Sequence, residues 1–442
     1  MTPTVAERSP SWKWWVCGLL LVATFLNYMD RQALAVTLPE LKQRYHIVEG
    51  RIGLIEGRFG YAFALGSIVF GLLADRFGPR LLYPAVLVGW SLAGVATGLA
   101  GRPEVTGWLE SPGDDPGTGT FRWLLMCRIM LGLFEAGHWP CALITVRQLL
   151  TAKDRPLGNA VLQSGASLGA IIVPLYAEAT ERLGLGWEGV FWSIGVAGML
   201  WVPAWLALVR RRDLEVATPA ATVPDPGIEW GAFLRHLVML AIIVSCLNVS
   251  WQFLRAWLPL FLQDFHGYSR ELTRVCTSVY FISTDIGCIL AGALVTWLVA
   301  RGWGVAGARL FGFACFAALT ALAAAVPWVG SGPVMIVFLM VAGAGILGLH
   351  PYYYALVQEL PARRMGLISG GLAAIGWVVS GRFQIYVGAE IEKTRSYDTG
   401  LVIVGLAPMV GLIALLVLGR ARKPDDALRS SGTADGDTSS TG

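Results

Sequence analysis

Apolar runs of roughly 18 or more residues recur from one end of this 442-residue chain to the other, and each is long enough to cross a hydrocarbon core ~30 Å thick. Reading between charged or Gly/Pro-rich breaks gives about twelve of them, near 14–38, 52–74, 81–100, 121–150, 157–180, 187–209, 234–263, 271–299, 306–328, 333–357, 365–391 and 399–419. Against lipid, every backbone N–H and C=O must find its partner inside the segment, so these runs are expected to be helices. Long stretches without period-two alternation exclude a transmembrane barrel. Only 14% of the residues are charged, against about 25% in soluble domains. The expected fold class is an all-α, polytopic membrane protein.

Loop charges orient it. With both termini cytoplasmic, about nineteen Lys and Arg fall on that side and about ten outside, the bias expected of cytoplasmic loops. A polar, Pro-rich stretch at 210–232 divides the chain into two six-helix bundles, 14–209 and 233–420, with a cytoplasmic segment at 1–13 and a disordered tail at 421–442. The halves echo each other. LNYMDRQALAVTLPEL at 26–41 is similar to LNVSWQFLRAWLPLFL at 247–262, and Gly71-Leu-Leu-Ala-Asp75 pairs with Gly292-Ala-Leu-Val-Thr296. Such a duplicated six-helix unit is typical of the major facilitator architecture. A net charge of +4, dispersed along the chain, gives no nucleic-acid footprint. The seven cysteines lack CxxC or metal-ligand spacing and read as small packed hydrophobes.

FLNYMDRQAL at 25–34 places Asp30 and Arg31 inside the first run. A charge at the bilayer centre costs at least ~2.5 kcal/mol, so the pair is expected to face the protein interior. The fourth run repeats the pattern with Arg128 and Glu135, almost two helical turns apart on one face, and His138 follows one turn later. Each run thus offers a carboxylate and a guanidinium, and both sets are expected to look into one polar cavity. One use is structural, each pair clamping two helices together. The other is symport: arginine grips a carboxylate in a bidentate fork, while an intramembrane acid takes up and releases a proton. Glu56 and Arg58, in the second run, are read as lying near the outer membrane surface. Asn248, Gln252, Arg255 and Asp285 are weaker polar signals. No HExxH, Gly-x-Ser-x-Gly or clustered His set suggests an enzyme.

GLLADRFGPR at 71–80 resembles the major facilitator signature between helices two and three. Gly71 and Gly78 would allow close helix approach, Asp75 would cap or pair across the bundles, and Arg76 and Arg80 would meet the cytoplasmic surface. FLNYMDRQAL and RIMLGLFEAGHWP resemble helices one and four of the anion:cation symporter family, which includes bacterial hexuronate and galactonate carriers. YFISTDIGCILAG at 280–292 is similar to the hexuronate transporters. The likeness covers most of 14–420. It implies that Asp30 and Glu135 are the protonatable pair coupled through Arg128, and that Arg31 meets the substrate carboxylate. It also implies that Tyr28, Tyr61 and Gln163 line a sugar-acid site. His138, Asn248 and Trp377 join as pocket candidates, since helix eleven (GGLAAIGWVVSG) has Ala374 near the asparagine of relatives.

The function expected is proton-coupled uptake of a sugar acid, a hexuronate such as glucuronate or galacturonate, by alternating access. The partners are the substrate anion, protons and the lipid bilayer of a bacterial inner membrane. The proton gradient serves in place of a cofactor, no metal is called for, and the carrier is expected to be a monomer. Rival readings are a carrier of another small organic anion, such as galactonate, glucarate or a monocarboxylate, and a membrane sensor that binds without transporting.

Overall fold

The computed structural model describes residues 11–151, 154–210, 213–214, 230–359 and 365–419. Helices occupy every expected run. The first half supplies α1 (Trp12–Tyr45), α2 (Glu49–Phe77), α3 (Pro79–Thr97), the short α4 (Pro103–Thr106), α5 (Thr118–Glu135), α6 (His138–Leu149), α7 (Arg155–Arg182) and α8 (Gly186–Leu208). The second supplies α9 (Trp230–Leu260), α10 (Arg270–Ala300), α11 (Val305–Thr320), the short α12 (Leu322–Ala325), α13 (Pro333–Gly348), α14 (His350–Val357), α15 (Met365–Thr394) and α16 (Asp398–Leu418). No strand occurs among the described residues.

Among the described residues, ten helical stretches are long and apolar enough to cross a membrane. α1 and α15 have ample length, 34 and 30 residues, but carry intramembrane polar residues: Asp30, Arg31 and Gln32 in one, Arg382 and Gln384 in the other. The fourth run bends at Ala136 and Gly137 into α5 and α6, and the tenth breaks at Leu349 into α13 and α14. Most of the expected linker, the segment 1–10, Arg363 and Arg364, and the tail at 421–442 lie outside the described residues.

Helices before 210 pack chiefly on one another: α1 on α7 and α8, α2 on α5, α3 on α5 and α8. Those after 230 do the same, with α9 on α15 and α16, and α13 on α10 and α11. Three seams join the groups, α2 with α15, α7 with α10, and α1 with α9. The first is built on glycine. A Cβ added at Gly53 would stand 2.9 Å from Gly388 Cα, and one at Gly57 would stand 2.6 Å from the carbonyl oxygen of Gly381. Small residues here let two backbones touch, which is how helices gain packing energy where lipid is as apolar as the side chains.

The chain enters α1 at one face, called the near face, and leaves it at Tyr45 on the far face. Ion pairs between the two groups crowd the far face. Lys42 meets Asp264 at 3.1 Å, Arg395 meets Glu49 at 3.5 Å and Arg274 meets Glu181 at 2.7 Å. Arg270 also pairs with Glu181, and Arg274 with Glu178. At the near face, Lys13–Asp154 and Arg309–Glu359 each stay within one group. Among the described residues no ion pair joins the groups there.

Candidate functional site

α1, α2, α5 and α9 carry six buried ionisable side chains: Arg31, Glu56, Arg128, Glu135 and Arg255 gather by the seam between the two helix groups, and Asp30 lies on the α3 side of α1. Helical geometry explains the arrangement. One residue step turns about 100°, so neighbouring Asp30 and Arg31 leave α1 in different directions. Arg31 reaches α5, where its Nε donates to Glu135 Oε2 at 2.9 Å, and its Nη2 also donates to Asn27 Oδ1 at 3.2 Å. Its Nη1 takes no part in these bonds. Rings of Tyr28 and Phe63 lie 5.0 Å from the guanidinium carbon, with Trp377 of α15 at 5.7 Å. Aromatic faces favour a cation through their quadrupole, so Arg31 is held with one edge committed to Glu135 and the other walled by rings.

Asp30 turns instead toward α3, where a Cβ on Gly94 would lie 2.9 Å from its Oδ1. Neither of its oxygens has a hydrogen-bond donor. The ionic side chains of the first and fourth runs do meet, and the pairs run between helices: Arg31 with Glu135, and Arg128 with Glu56. Arg128 Nη2 donates to Glu56 Oε1 at 3.0 Å, and Arg255 Nη2 donates to Glu56 Oε2. Both arginines also approach the carbonyl oxygen of Arg31 at 3.4 Å, and Gln252 Oε1 accepts from Arg255 Nε at 2.6 Å. Glu56 is thus not near a membrane surface. Its α2 position, two turns in from Glu49, places it between three helices and two helix groups. Sequence spacing within one run cannot show a partner on another run. The available signal was an acid well inside the second run and an arginine well inside the seventh.

A carboxylate that enters this cluster meets arginines that are already matched by acids. Residues 20–383 match the Major Facilitator Superfamily. The chain belongs to that superfamily. It is similar to the "Probable L-galactonate transporter" of Escherichia coli (strain K12), 23% identical, with 91% of this chain and 88% of that protein covered. It is likewise similar to the "Probable galactarate/D-glucarate transporter GudP" of the same strain, 24% identical over 93% of this chain and 94% of that one. Among solved structures the D-xylose-proton symporter shares the fold, with a TM-score of 0.71 at 14% identity and coverage of 92% and 97%. The protein is a multi-pass membrane transporter and not an enzyme.

Within this superfamily fold the remaining expected residues separate. Gln163 is exposed on α7, one turn before Ser167, whose hydroxyl donates to Asp285 of α10 at 2.9 Å across the seam. Asn248 lies beside α15, where a Cβ on Gly376 would stand 2.8 Å from its Nδ2. Tyr61 lies against α15, where a Cβ on Gly381 would stand 3.0 Å from its ring, and the Arg58 guanidinium carbon is 5.9 Å from that ring. His138 is fully buried and spent on structure: Nε2 meets Thr24 Oγ1 at 3.1 Å and Nδ1 meets the Tyr83 hydroxyl at 2.9 Å. The signature stretch expected as a loop is helical, 71–77 ending α2 and 79–80 opening α3 with Gly78 alone between them, and Gly71 has nothing near a Cβ position, so close helix approach is not its role. Gly78 is required for backbone conformation, with φ 70° between α2 and Pro79. Asp75 and Arg76 are exposed, and none of the described ion pairs includes Asp75, while Arg80 Nε donates to the Val209 carbonyl at 3.2 Å. A cleft of about 510 Å³ on the far face, lined by His46, Arg51, Asp115, Ile385 and Glu392, lies apart from the buried cluster.

Proposed function

We propose that the chain is a proton-coupled symporter that brings a six-carbon sugar acid into the cell by alternating access. The observation that carries this reading is the buried ionic cluster. Arg31 faces Glu135, Arg128 and Arg255 face Glu56, and Asp30 lies on the same helix as Arg31 without a donor among the described residues. An arriving carboxylate adds a negative charge where the cations are already compensated, and an uncompensated ion costs several kcal/mol in a low-dielectric interior. A proton delivered to one of the acids restores the balance. Asp30, with no donor in reach, suits holding that proton, and Arg31 suits the substrate because its Nη1 edge lies outside the Glu135 bond.

The relatives' names support an aldonate or aldarate. The hexuronate reading stays as the second candidate, favoured by YFISTDIGCILAG at 280–292. Loop charges support a cytoplasmic near face in a bacterial inner membrane, and with that orientation the fastened far face corresponds to an inward-facing form. One chain contains the whole cluster, which supports a monomer. The test is uptake into reconstituted vesicles under an imposed pH gradient, with labelled galactonate, galactarate, glucuronate and galacturonate. Accumulation above equilibrium that a protonophore abolishes is expected. Silence toward all four would overturn the substrate class, and gradient-independent equilibration would overturn the coupling.

A further inference from the structure

α2 and α15 run antiparallel along their glycine seam, since α2 begins at the far face and α15 ends there, with Glu392 Oε2 accepting from the Gly50 N–H at 3.0 Å. Gly57 and Gly381 meet in that seam. Arg58 and Arg382 each stand one residue past the meeting point, and a step of about 100° in antiparallel helices turns both to the same side. That side is the outer one. Glu56 and its arginines lie on the opposite side of α2, and Gln384, bonded to Trp257 of α9, lies on the opposite side of α15. Arg58 and Arg382 are both exposed, and neither takes part in any described hydrogen bond or ion pair. Around them the outer side is apolar: Leu65, Ile68 and Leu72 continue the stripe along α2, and Ile375, Val378 and Val379 along α15, all exposed. Such a surface faces acyl chains.

At 1.5 Å per residue, Arg58 sits about 14 Å along α2 from Glu49, and Arg382 about 18 Å along α15 from Thr394. These helices of 29 and 30 residues overreach a ~30 Å hydrocarbon core, which leaves both arginines inside it. An unmatched guanidinium against lipid is costly. We propose that Arg58 and Arg382 together hold the phosphate of an anionic phospholipid from the far leaflet, and that this lipid staples the two helix groups at the α2–α15 seam. Each arginine can give paired N–H donors to phosphate oxygens, and basic pockets between membrane helices are known lodgings for acidic headgroups. Space for the headgroup lies above. The far-face cleft of about 510 Å³ reaches down to Leu54, one turn from Arg58, and to Ile385, one turn from Arg382. Its rim acids are already held, Asp115 by Arg51 and Glu392 by the Gly50 N–H. A choline headgroup would bring a third cation to two unmatched ones; a glycerol headgroup brings none. A second copy of this chain is a poorer match, because the exposed acids among the described residues, such as Glu104, Asp115, Glu271 and Glu359, stand in loops or at helix ends.

The experiment uses the full chain with no substrate added, so its result is independent of which sugar acid is carried. Native mass spectrometry from detergent follows binding of phosphatidylglycerol and phosphatidylcholine with the same acyl chains. Wild type should retain one phosphatidylglycerol at about tenfold lower concentration than phosphatidylcholine, and inorganic phosphate should not displace it. The double variant Arg58→Gln, Arg382→Gln should bind the two lipids alike. Spin labels on cysteines introduced at Glu104 and Ser331, both exposed on the far face with one in each group, then read the seam in nanodiscs of either lipid, in a background freed of the native cysteines. Phosphatidylglycerol should raise the short-distance fraction in wild type and leave the double variant unchanged. Equal affinity of wild type for the two lipids, a preference that survives the double substitution, or displacement by inorganic phosphate would overturn the lipid site. Distances indifferent to the lipid would overturn the staple. If the double variant fails to fold, a wild-type lipid preference in Arg382→Gln alone overturns the site as well.

Discussion

At the residue scale, two basic side chains in the same membrane have opposite fates. Arg31 keeps one edge of its fork unbonded beside a wall of rings, so its geometry as well as its charge is in play. Arg31→Lys keeps the charge and loses the fork. Uptake of the preferred sugar acid should fall about tenfold or more through KM, and Arg31→Ala should fall further; normal transport by Arg31→Ala would remove it from the substrate's path. His138, by contrast, spends both nitrogens on Thr24 and Tyr83. His138→Phe leaves the buried Tyr83 hydroxyl unmet, at about 1–3 kcal/mol, while Thr24 keeps its bond to the Leu20 carbonyl, so the melting temperature in detergent should drop while KM in the surviving protein holds. From sequence the two looked alike, as polar residues in or beside buried runs. Periodicity gives a direction around a helix and says nothing of what stands opposite, which is why Glu56 looked peripheral.

Single helices carry their own lesson, because their existence was written plainly in the apolar runs and their neighbours were not. α2 and α15 lie far apart in sequence, yet glycines at 53, 57 and 388 bring their backbones together. Gly57→Leu would drive a branched side chain into the Gly381 carbonyl and Ile385, an overpacking penalty of about 1–3 kcal/mol or more. The far face should then open, as read by the Glu104–Ser331 distance, and unaltered distances would show that the seam tolerates the bulk. The loop before α5 offers a pH test. Asp114 accepts from the Ser111 backbone N–H at 2.8 Å and from Arg122 at 2.7 Å, and these bonds hold its carboxyl below the usual aspartate range. A depressed value means that the tie is present at neutral pH and is lost as pH falls through the folded-state value. Hydrogen exchange at 111–117 should therefore stay slow through mildly acid pH and quicken only below the ordinary aspartate range, and Asp114→Asn should exchange quickly throughout.

For the whole molecule, the asymmetry between faces is the dominant fact. Among the described residues, ion pairs between helix groups gather on the far side, whereas Asp75 and Arg76, in the last turn of α2, stand exposed with Asp75 in none of the described ion pairs. Raising salt weakens exposed and half-exposed pairs by screening. The Glu104–Ser331 distance should lengthen modestly in 1 M salt, and Arg274→Gln should reproduce the change at low salt. An effect confined to the near face would reverse this assignment. The two-bundle plan was legible early, from the internal echo and the loop charges, because both are properties of whole segments. Which end was shut was not legible, since it depends on pairings among Glu178, Glu181, Arg270 and Arg274 that no local pattern encodes. That riveted rim has a consequence for where the carrier takes its instructions. Salt in the compartment bathing the rim acts on its resting posture directly, because the ion pairs that fasten the helix groups there are partly open to that medium.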